Sequence, residues 1–399
     1  MSYRHVLLDL LEFYRHNVFG KLRTCMAFIM LINFDPVYNI SPTIAKNLMR
    51  IEAAKQKVAL LPVNPKVLAS LRETAKLYTT HYSTTIEGNR LDPQQIKEVL
   101  ILKGHFPGRE RDEHEVKGYY AAIAQLEQYA AQNHTVTEKV IQTLHALVMS
   151  DGRTRVTPTP YRDGQNVIKD SATGAIIYMP PEYKDVPALM KSLVNWIKES
   201  SDLPCPIIAA ISHYQFTTIH PYYDGNGRAA RLLTTLILYL GGYDLKGLYS
   251  LEEYYAKNLL AYYRAISVGP SHNYYFGRAE SDITGWIEYF IHGMAFAFEK
   301  VVSQMIDSKN KGDKDHTTLM RTLDPKQRKT LELFQSYKVV TSAQIGELFG
   351  FKPRTNTALC KKWVEVGFLE IVDHSNKARK YKLAKPYDAL ITEVGRNWL

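Results

Sequence analysis

Ile219-His220-Pro221-Tyr222-Tyr223-Asp224-Gly225-Asn226-Gly227-Arg228-Ala229-Ala230-Arg231 runs directly into Leu232-Leu233-Thr234-Thr235-Leu236-Ile237-Leu238-Tyr239-Leu240-Gly241-Gly242. The second half predicts a helix. Ala229, Leu232, Leu233, Leu236, Ile237 and Leu240 recur at spacings of three and four, and the glycine pair supplies the stop. Leu238 and Tyr239 make the other face apolar as well, which places this helix at the centre of a bundle. The first half is a loop carrying a base, a carboxylate, an amide and two glycines. Gly225 and Gly227 let successive amides point at one spot on the positive end of the helix, which makes a site for phosphate.

Upstream, residues 41–103 read as helices, broken at Leu61-Pro62-Val63-Asn64-Pro65. After that break Leu68, Leu71, Ala75, Tyr78 and Tyr82 follow a helical period, with Ile86 one turn on, and Glu87-Gly88-Asn89 reads as the end, the glycine suiting a left-handed cap. Glu87 then faces the negative end of its own helix dipole and gains from a cation opposite it. Two further helical patterns cover residues 112–150. The clear β signal is a hairpin, residues 165–168 and 175–179, with Pro180-Pro181 closing it. An isolated hairpin is marginal, so it is expected to act as a flap over something. Helices resume at residues 186–199 and 206–218 and again at 254–266 and 283–298.

The 399 residues allow two or three domains, and hydrophobic content of 45% with 23% charged is that of a globular chain. The net charge of +10 is uneven: residues 320–399 hold 15 Lys+Arg against 8 Asp+Glu, so any search for a polyanionic partner begins at the C-terminus. Cys25, Cys205 and Cys360 are widely separated and lack metal-ligand spacing, which argues against a disulfide framework or zinc site and for a reducing, cytoplasmic setting. The apolar run at residues 25–34 is too short to span a bilayer, so neither secretion nor membrane insertion is expected.

In the central loop, the ordinary pKa of an imidazole would suit His220 to taking a proton from a hydroxyl at neutral pH. A lone histidine is more often a core or helix-end residue; beside Asp224-Gly225-Asn226-Gly227-Arg228 the balance reverses. Asp224 offers the single carboxylate with which magnesium is commonly held beside phosphates, against the plain reading of a turn-forming Asp-Gly. Asn226 either donates to a phosphate oxygen or tolerates a left-handed turn. Arg228 and Arg231 lie one helical step apart, so both can face one anion.

These residues resemble a known signature. The string 220–231 matches that of Fic-domain proteins, HxFx(D/E)GNGRxxR, except that Tyr222 replaces Phe, which keeps the ring and leaves a hydroxyl without an assigned partner. Ser83-Thr84-Thr85-Ile86-Glu87-Gly88-Asn89 is similar to the family's inhibitory motif, (S/T)xxxE(G/N), in the class that carries it N-terminally. The resemblance covers roughly residues 40–300. It implies an all-α Fic-type helical core with a β-hairpin flap, and transfer of AMP from ATP to a Ser, Thr or Tyr hydroxyl of a protein target, itself included. It further implies that His220 is the base, that Asp224 holds Mg2+, and that Gly225, Asn226, Gly227, Arg228 and Arg231 bind the ATP phosphates. Glu87, with Ser83, would hold Arg231 away from the γ-phosphate, and the same Glu87 would position water for removing AMP. Ile177, Tyr178 and Met179 would align the target by strand addition to an exposed edge, and Tyr263 is a candidate for the adenine pocket.

Domains are expected at residues 1–40 (tail or extra helix), 41–110 (the inhibitory helical region), 111–300 (catalytic core), 301–319 (linker) and 320–399. The last resembles a winged helix-turn-helix, with helices at 325–337, 342–349 and 353–366 and strands at 368–373 and 379–384. Lys352, Arg354, Lys361, Lys362, Lys377, Arg379 and Lys380 fall on its third helix and wing. Phosphate contact is one reading of them, and a solvated basic face used for dimer or target contacts is the other. The alternative function is a DNA-binding regulator with a nucleotide-sensing domain. A homodimer stays open.

Overall fold

The computed structural model describes residues 34–60, 65–170, 173–269, 272–310, 323–373 and 379–387. It divides into two units, one ending at Met305 and the other beginning at Ile306. The first is mostly helical. Its early helices are α1 (Pro42–Leu60), α2 (Pro65–Ile86), α3 (Pro93–Ile101), α4 (Glu110–Ala131) and α5 (Glu138–Val148). Asp92 and Gln95 form a capping box on α3, and the Thr137 hydroxyl caps α5.

After the hairpin come α6 (Val186–Glu199), α7 (Cys205–Ile219), α8 (Asn226–Leu240), α9 (Leu251–Lys257), α10 (Leu259–Ile266) and α11 (Thr284–Asn310). The pair α7 and α8 forms the centre. Nearly every residue of α7 is buried, and α8 buries Leu232, Leu233, Leu236 and Leu238, each removal from water contributing about 1.5–3 kcal/mol. Two buried polar side chains of this core find partners: His213 of α7 lies between the Thr234 hydroxyl (3.0 Å) and the Tyr262 hydroxyl (2.9 Å), and the Trp286 indole N–H donates to the Ala210 carbonyl at 2.7 Å. No described helix is long and apolar enough to cross a membrane.

The hairpin is shorter than its sequence predicts: β1 is Ile168–Lys169 and β2 is Ile176–Tyr178, antiparallel, with Ile168 opposite Tyr178. The missing length is taken by other partners. Gln165 donates to the Pro180 carbonyl, and Asn166 to that of Tyr222. Met179 makes a parallel bridge to Asn273, its N–H donating to the His272 carbonyl at 2.7 Å and its carbonyl accepting from Tyr274 at 3.1 Å. The hairpin is therefore fastened to the bundle on its outer side rather than standing alone.

α11 extends ten residues into the segment read as linker; residues 311–319 lie outside the described residues, as do 1–33 of the predicted tail. The second unit holds α12 (Pro325–Ser336), β3 (Val340–Thr341), α13 (Ser342–Phe349), α14 (Pro353–Glu365), β4 (Leu369–Asp373) and β5 (Lys380–Leu383), with sheet order β3-β5-β4. Its own core includes Phe334, Ile345, Cys360, Trp363 and Phe368. Capping boxes at Asp324/Gln327 and Thr341/Gln344 start α12 and α13.

Candidate active site

α7 ends on His220, whose backbone is left-handed (φ 53) and whose N–H donates to the Phe216 carbonyl. That conformation is uncommon outside glycine and has to be held in place. Arg162 holds it: its Nε donates to the His220 carbonyl at 3.0 Å, its Nη1 to the Gly164 carbonyl, and its backbone N–H to the Pro221 carbonyl. Nδ1 of His220 lies 3.3 Å from the Thr217 carbonyl, which can only accept, so Nδ1 carries the proton and Nε2 keeps its lone pair. Burial pushes the imidazole down to about 4, against the smaller opposing effect of that hydrogen bond. At neutral pH it is an unprotonated base.

The loop between His220 and α8 is shaped from below. The Tyr222 ring stacks on His145 of α5 at 3.6 Å between centroids, and His145 Nε2 donates to the Asp224 carbonyl at 2.9 Å. Gly225 sits at φ 75, where a Cβ would lie 2.9 Å from Met149 Sδ and 3.1 Å from His145 Nε2, so no side chain fits there. The Tyr222 hydroxyl is buried without a hydrogen-bond partner. Asn226 departs from both readings made of it. Its Oδ1 accepts from the Tyr222 N–H (2.9 Å) and its Nδ2 donates to the Tyr222 carbonyl (2.8 Å), so its side chain is spent closing the loop. The left-handed residue is Gly225, and only the backbone N–H of Asn226 is left for an anion.

Gly225 caps α8 without a side-chain hydrogen bond, so no cap side chain covers the first-turn N–H groups of Asn226, Gly227 and Arg228. Asp224 is exposed; its Oδ1 accepts from the Gly225 N–H and lies 3.6 Å from Arg228 Nη2. Arg228 is buried, and its Nε has no hydrogen-bond partner. Arg231 is buried and fully engaged. Its Nε donates to Ser83 Oγ at 2.8 Å, and Nη2 donates to the Ser83 carbonyl at 2.9 Å and to Glu87 Oε1 at 2.8 Å. Burial, the largest single influence, would make this guanidinium easier to deprotonate; the Glu87 charge and hydrogen bond, with the nearby Tyr262 and Tyr119, together outweigh it and hold the group well above its ordinary range. Gly227 lies between the two, and a Cβ there would fall well inside contact with Glu87 Oε1.

Glu87 is therefore placed by the end of α2. Its N–H donates to the Thr84 carbonyl, Gly88 takes φ 91, and Asn89 anchors the turn to α4 through the Asp112 carbonyl and Glu115. Tyr263, proposed for the adenine pocket, instead donates its hydroxyl to the Ile86 carbonyl at 3.2 Å, with its ring half-exposed. On the flap, Ile177 is exposed, but Tyr178 is buried with its hydroxyl on the Thr218 carbonyl (2.8 Å). Met179 spends its backbone on residues 272–274, so neither residue presents the free edge expected of it. Arg162 goes unremarked in the sequence, and His145 reads there only as part of a helical pattern. Each is a single residue outside any repeat, and the relevant signal is only the buried cation or imidazole it leaves among carbonyls.

Residues 135–238 match the Fic/DOC family. The chain is 30% identical over 218 residues to protein adenylyltransferase fic-1 of Caenorhabditis briggsae, covering 53% of this chain and 41% of that protein. It is 32% identical over 193 residues to protein adenylyltransferase fic-1 of Caenorhabditis elegans, covering 47% and 36%. The chain thus spans about two fifths of the length of these curated relatives. Its fold is similar to that of a Fic family protein from Desulfovibrio desulfuricans G20, with a TM-score of 0.58 and 23% identity over 88% of this chain and 99% of that one.

Proposed function

This chain is a Fic/DOC family protein related to protein adenylyltransferases, and we propose that it transfers AMP from ATP to a protein hydroxyl and that Glu87 holds it switched off. One observation carries the reading: Arg231, a buried cation one helical step beyond a glycine cradle, is already matched by Ser83 and Glu87.

The site suits a triphosphate. Arg228 has a buried Nε without a partner, the first-turn amides of α8 are uncapped, and Gly227 leaves no room for anything but backbone beside them. Arg228 and the amides of residues 226–228 would hold the phosphates, and Arg231 would join them once released. Asp224, the exposed carboxylate of the loop, would hold magnesium, which when bound neutralises phosphate charge. Nε2 of His220 takes the proton of the target's Ser, Thr or Tyr hydroxyl. The freed oxygen bonds to the α-phosphorus as the bond to pyrophosphate breaks, and pyrophosphate leaves with the electron pair. Positioning and charge neutralisation carry most of such a transfer.

Glu87 opposes it by taking the guanidinium, which leaves a bound triphosphate without its second arginine. The same carboxylate is the candidate for positioning water in AMP removal, a reaction separated from transfer by supplying AMP-modified protein. Ile177 is the flap residue best placed to meet a target chain. The second unit is read as a winged helix-turn-helix, because its helices and strands alternate α-β-α-α-β-β with β5 central.

The test is intact-protein mass spectrometry of wild type, Glu87→Gly and His220→Ala after incubation with ATP and magnesium. The expected result is added AMP on Glu87→Gly, less on wild type and none on His220→Ala. A folded Glu87→Gly protein that labels neither itself nor any protein of a cell lysate from α-labelled ATP overturns the reading.

A further inference from the structure

We propose that the second unit binds duplex DNA, with α14 entering the major groove. This rests on the winged-helix reading of that unit and is independent of the transferase reading.

α13 and α14 are joined by Gly350 in a left-handed turn (φ 64) and pack at close range: a Cβ on Gly346 would collide with the buried Asn356 side chain. That crossing fixes which side of α14 is covered. Asn356, Cys360 and Trp363 face the core. The other side presents Arg354, Thr355, Thr357, Ala358, Lys361 and Lys362, all exposed. It is a face of cations, hydroxyls and one small methyl, with the single carboxylate of Glu365 at its C-terminal end; cations, hydroxyls and a methyl are the chemistry that meets phosphates, base-edge acceptors and the thymine methyl.

The alternatives fit this face less well. A protein partner would need a large apolar anchor at its centre. Among the described residues of this unit, the exposed large apolar side chains are Ile306, Tyr337, Val366 and Val372, and none lies on this stripe. Nor are its cations neutralised at home. Lys361 pairs with Glu365 at 4.0 Å and open to solvent, which contributes little. The N-terminus of α14 has Pro353 in its first turn and no side-chain cap, so its amides add to the positive end. On the wing side Lys380 is exposed, while Lys377 lies outside the described residues. The 15-to-8 excess of Lys+Arg over Asp+Glu in residues 320–399 gives the whole unit the sign of a polyanion's partner.

The experiment is fluorescence anisotropy of a labelled 30-base-pair duplex of arbitrary sequence, titrated with the full chain at several potassium chloride concentrations. At 50 mM salt, binding with Kd of about 1–100 μM is expected, weakening on a log–log plot with a slope near −0.9 per phosphate neutralised. Arg354→Glu/Lys361→Glu/Lys362→Glu should weaken it at least tenfold and flatten the slope. The milder Arg354→Ala should weaken it about threefold, which keeps the test open if the triple variant misfolds. The matched reversal Lys139→Glu/Lys191→Glu/Lys198→Glu, which alters the same charge on the first unit, should leave affinity within twofold. Hydrogen exchange of the complex should gain protection over residues 353–365. Absence of salt-dependent binding overturns the proposal, as does equal loss in the two charge-reversed proteins. Protection confined to another part of the second unit overturns the docking of α14 and the winged-helix reading with it.

Discussion

The two cationic regions of this molecule handle charge in opposite ways. At the head of α8, Arg231 is buried and matched at close range by Ser83 and Glu87. On α14, Arg354, Lys361 and Lys362 stand in solvent, and the Lys361–Glu365 pair among them is long and exposed. The first arrangement holds a cation where removing its partner is costly, so that its release would act as a switch in the proposed mechanism; the second leaves cations open to the outside partner proposed for them. On the readings proposed above, the buried, answered charge would serve regulation within the chain, and the exposed row would serve recognition beyond it.

The largest expected effect breaks the buried side of that contrast at its base. In the Glu87→Gly background, His220→Ala should lower AMP transfer by about 10²–10⁴-fold, read by label from ATP, if Nε2 is the proton acceptor. Next, Glu87→Gly alone should raise transfer at least tenfold. Because it strands a buried guanidinium, it should also cost roughly 2 kcal/mol of stability, regained on adding ATP; calorimetric melts with and without nucleotide check this. The same variant sharpens the comparison through salt. A buried pair is poorly screened, so the Tm difference between wild type and variant should change little from 50 to 500 mM salt, whereas the α14 face should lose its ligand over that range.

A smaller effect comes from three imidazoles in the first unit. Burial pushes His213 down to about 3 and His145 and His220 down to about 4. Unfolded, each titrates near about 6.5, so between the two values the unfolded chain binds more protons. The stability they contribute is complete above the unfolded pKa and is lost as pH falls toward 4. The Tm should be flat above pH 7 and drop by several degrees by pH 4.5. Transfer should likewise persist through pH 6 and fall only as His220 is protonated near 4. Smallest of all, Tyr222→Phe removes an unpartnered buried hydroxyl and should raise stability by up to about 1 kcal/mol without altering transfer.

What could be read from the sequence was local. The period of residues 229–240 gave α8, the Gly-rich loop gave its N-terminal end without a side-chain cap, and Thr341 announced the start of α13. Glu87 looked misplaced on its own helix, but its partner lies 144 residues away, and no spacing rule spans that; only a resemblance joined them. Where one residue had two plausible uses, local chemistry could not choose between them. The Asn226 amide suited phosphate as well as it suited the Tyr222 backbone, and the tertiary loop decided. Tyr178 and Met179 were read as part of a free strand edge because a strand's sequence does not say which of its edges is already paired, and the segment that pairs Met179, residues 272–274, comes from far along the chain.

The missing side chain at position 227 has a consequence for genetics. An alanine there would crowd the phosphate cradle and, with the same methyl, push the Glu87 carboxylate aside, since that carboxylate ends a flexible chain that yields more easily than backbone. One substitution would thus cripple the catalyst and unlock it together. A selection scored on activity would return a net phenotype composed of two opposing lesions, and its sign would depend on ATP concentration. Changes at Glu87 separate the two, and changes at Gly227 do not.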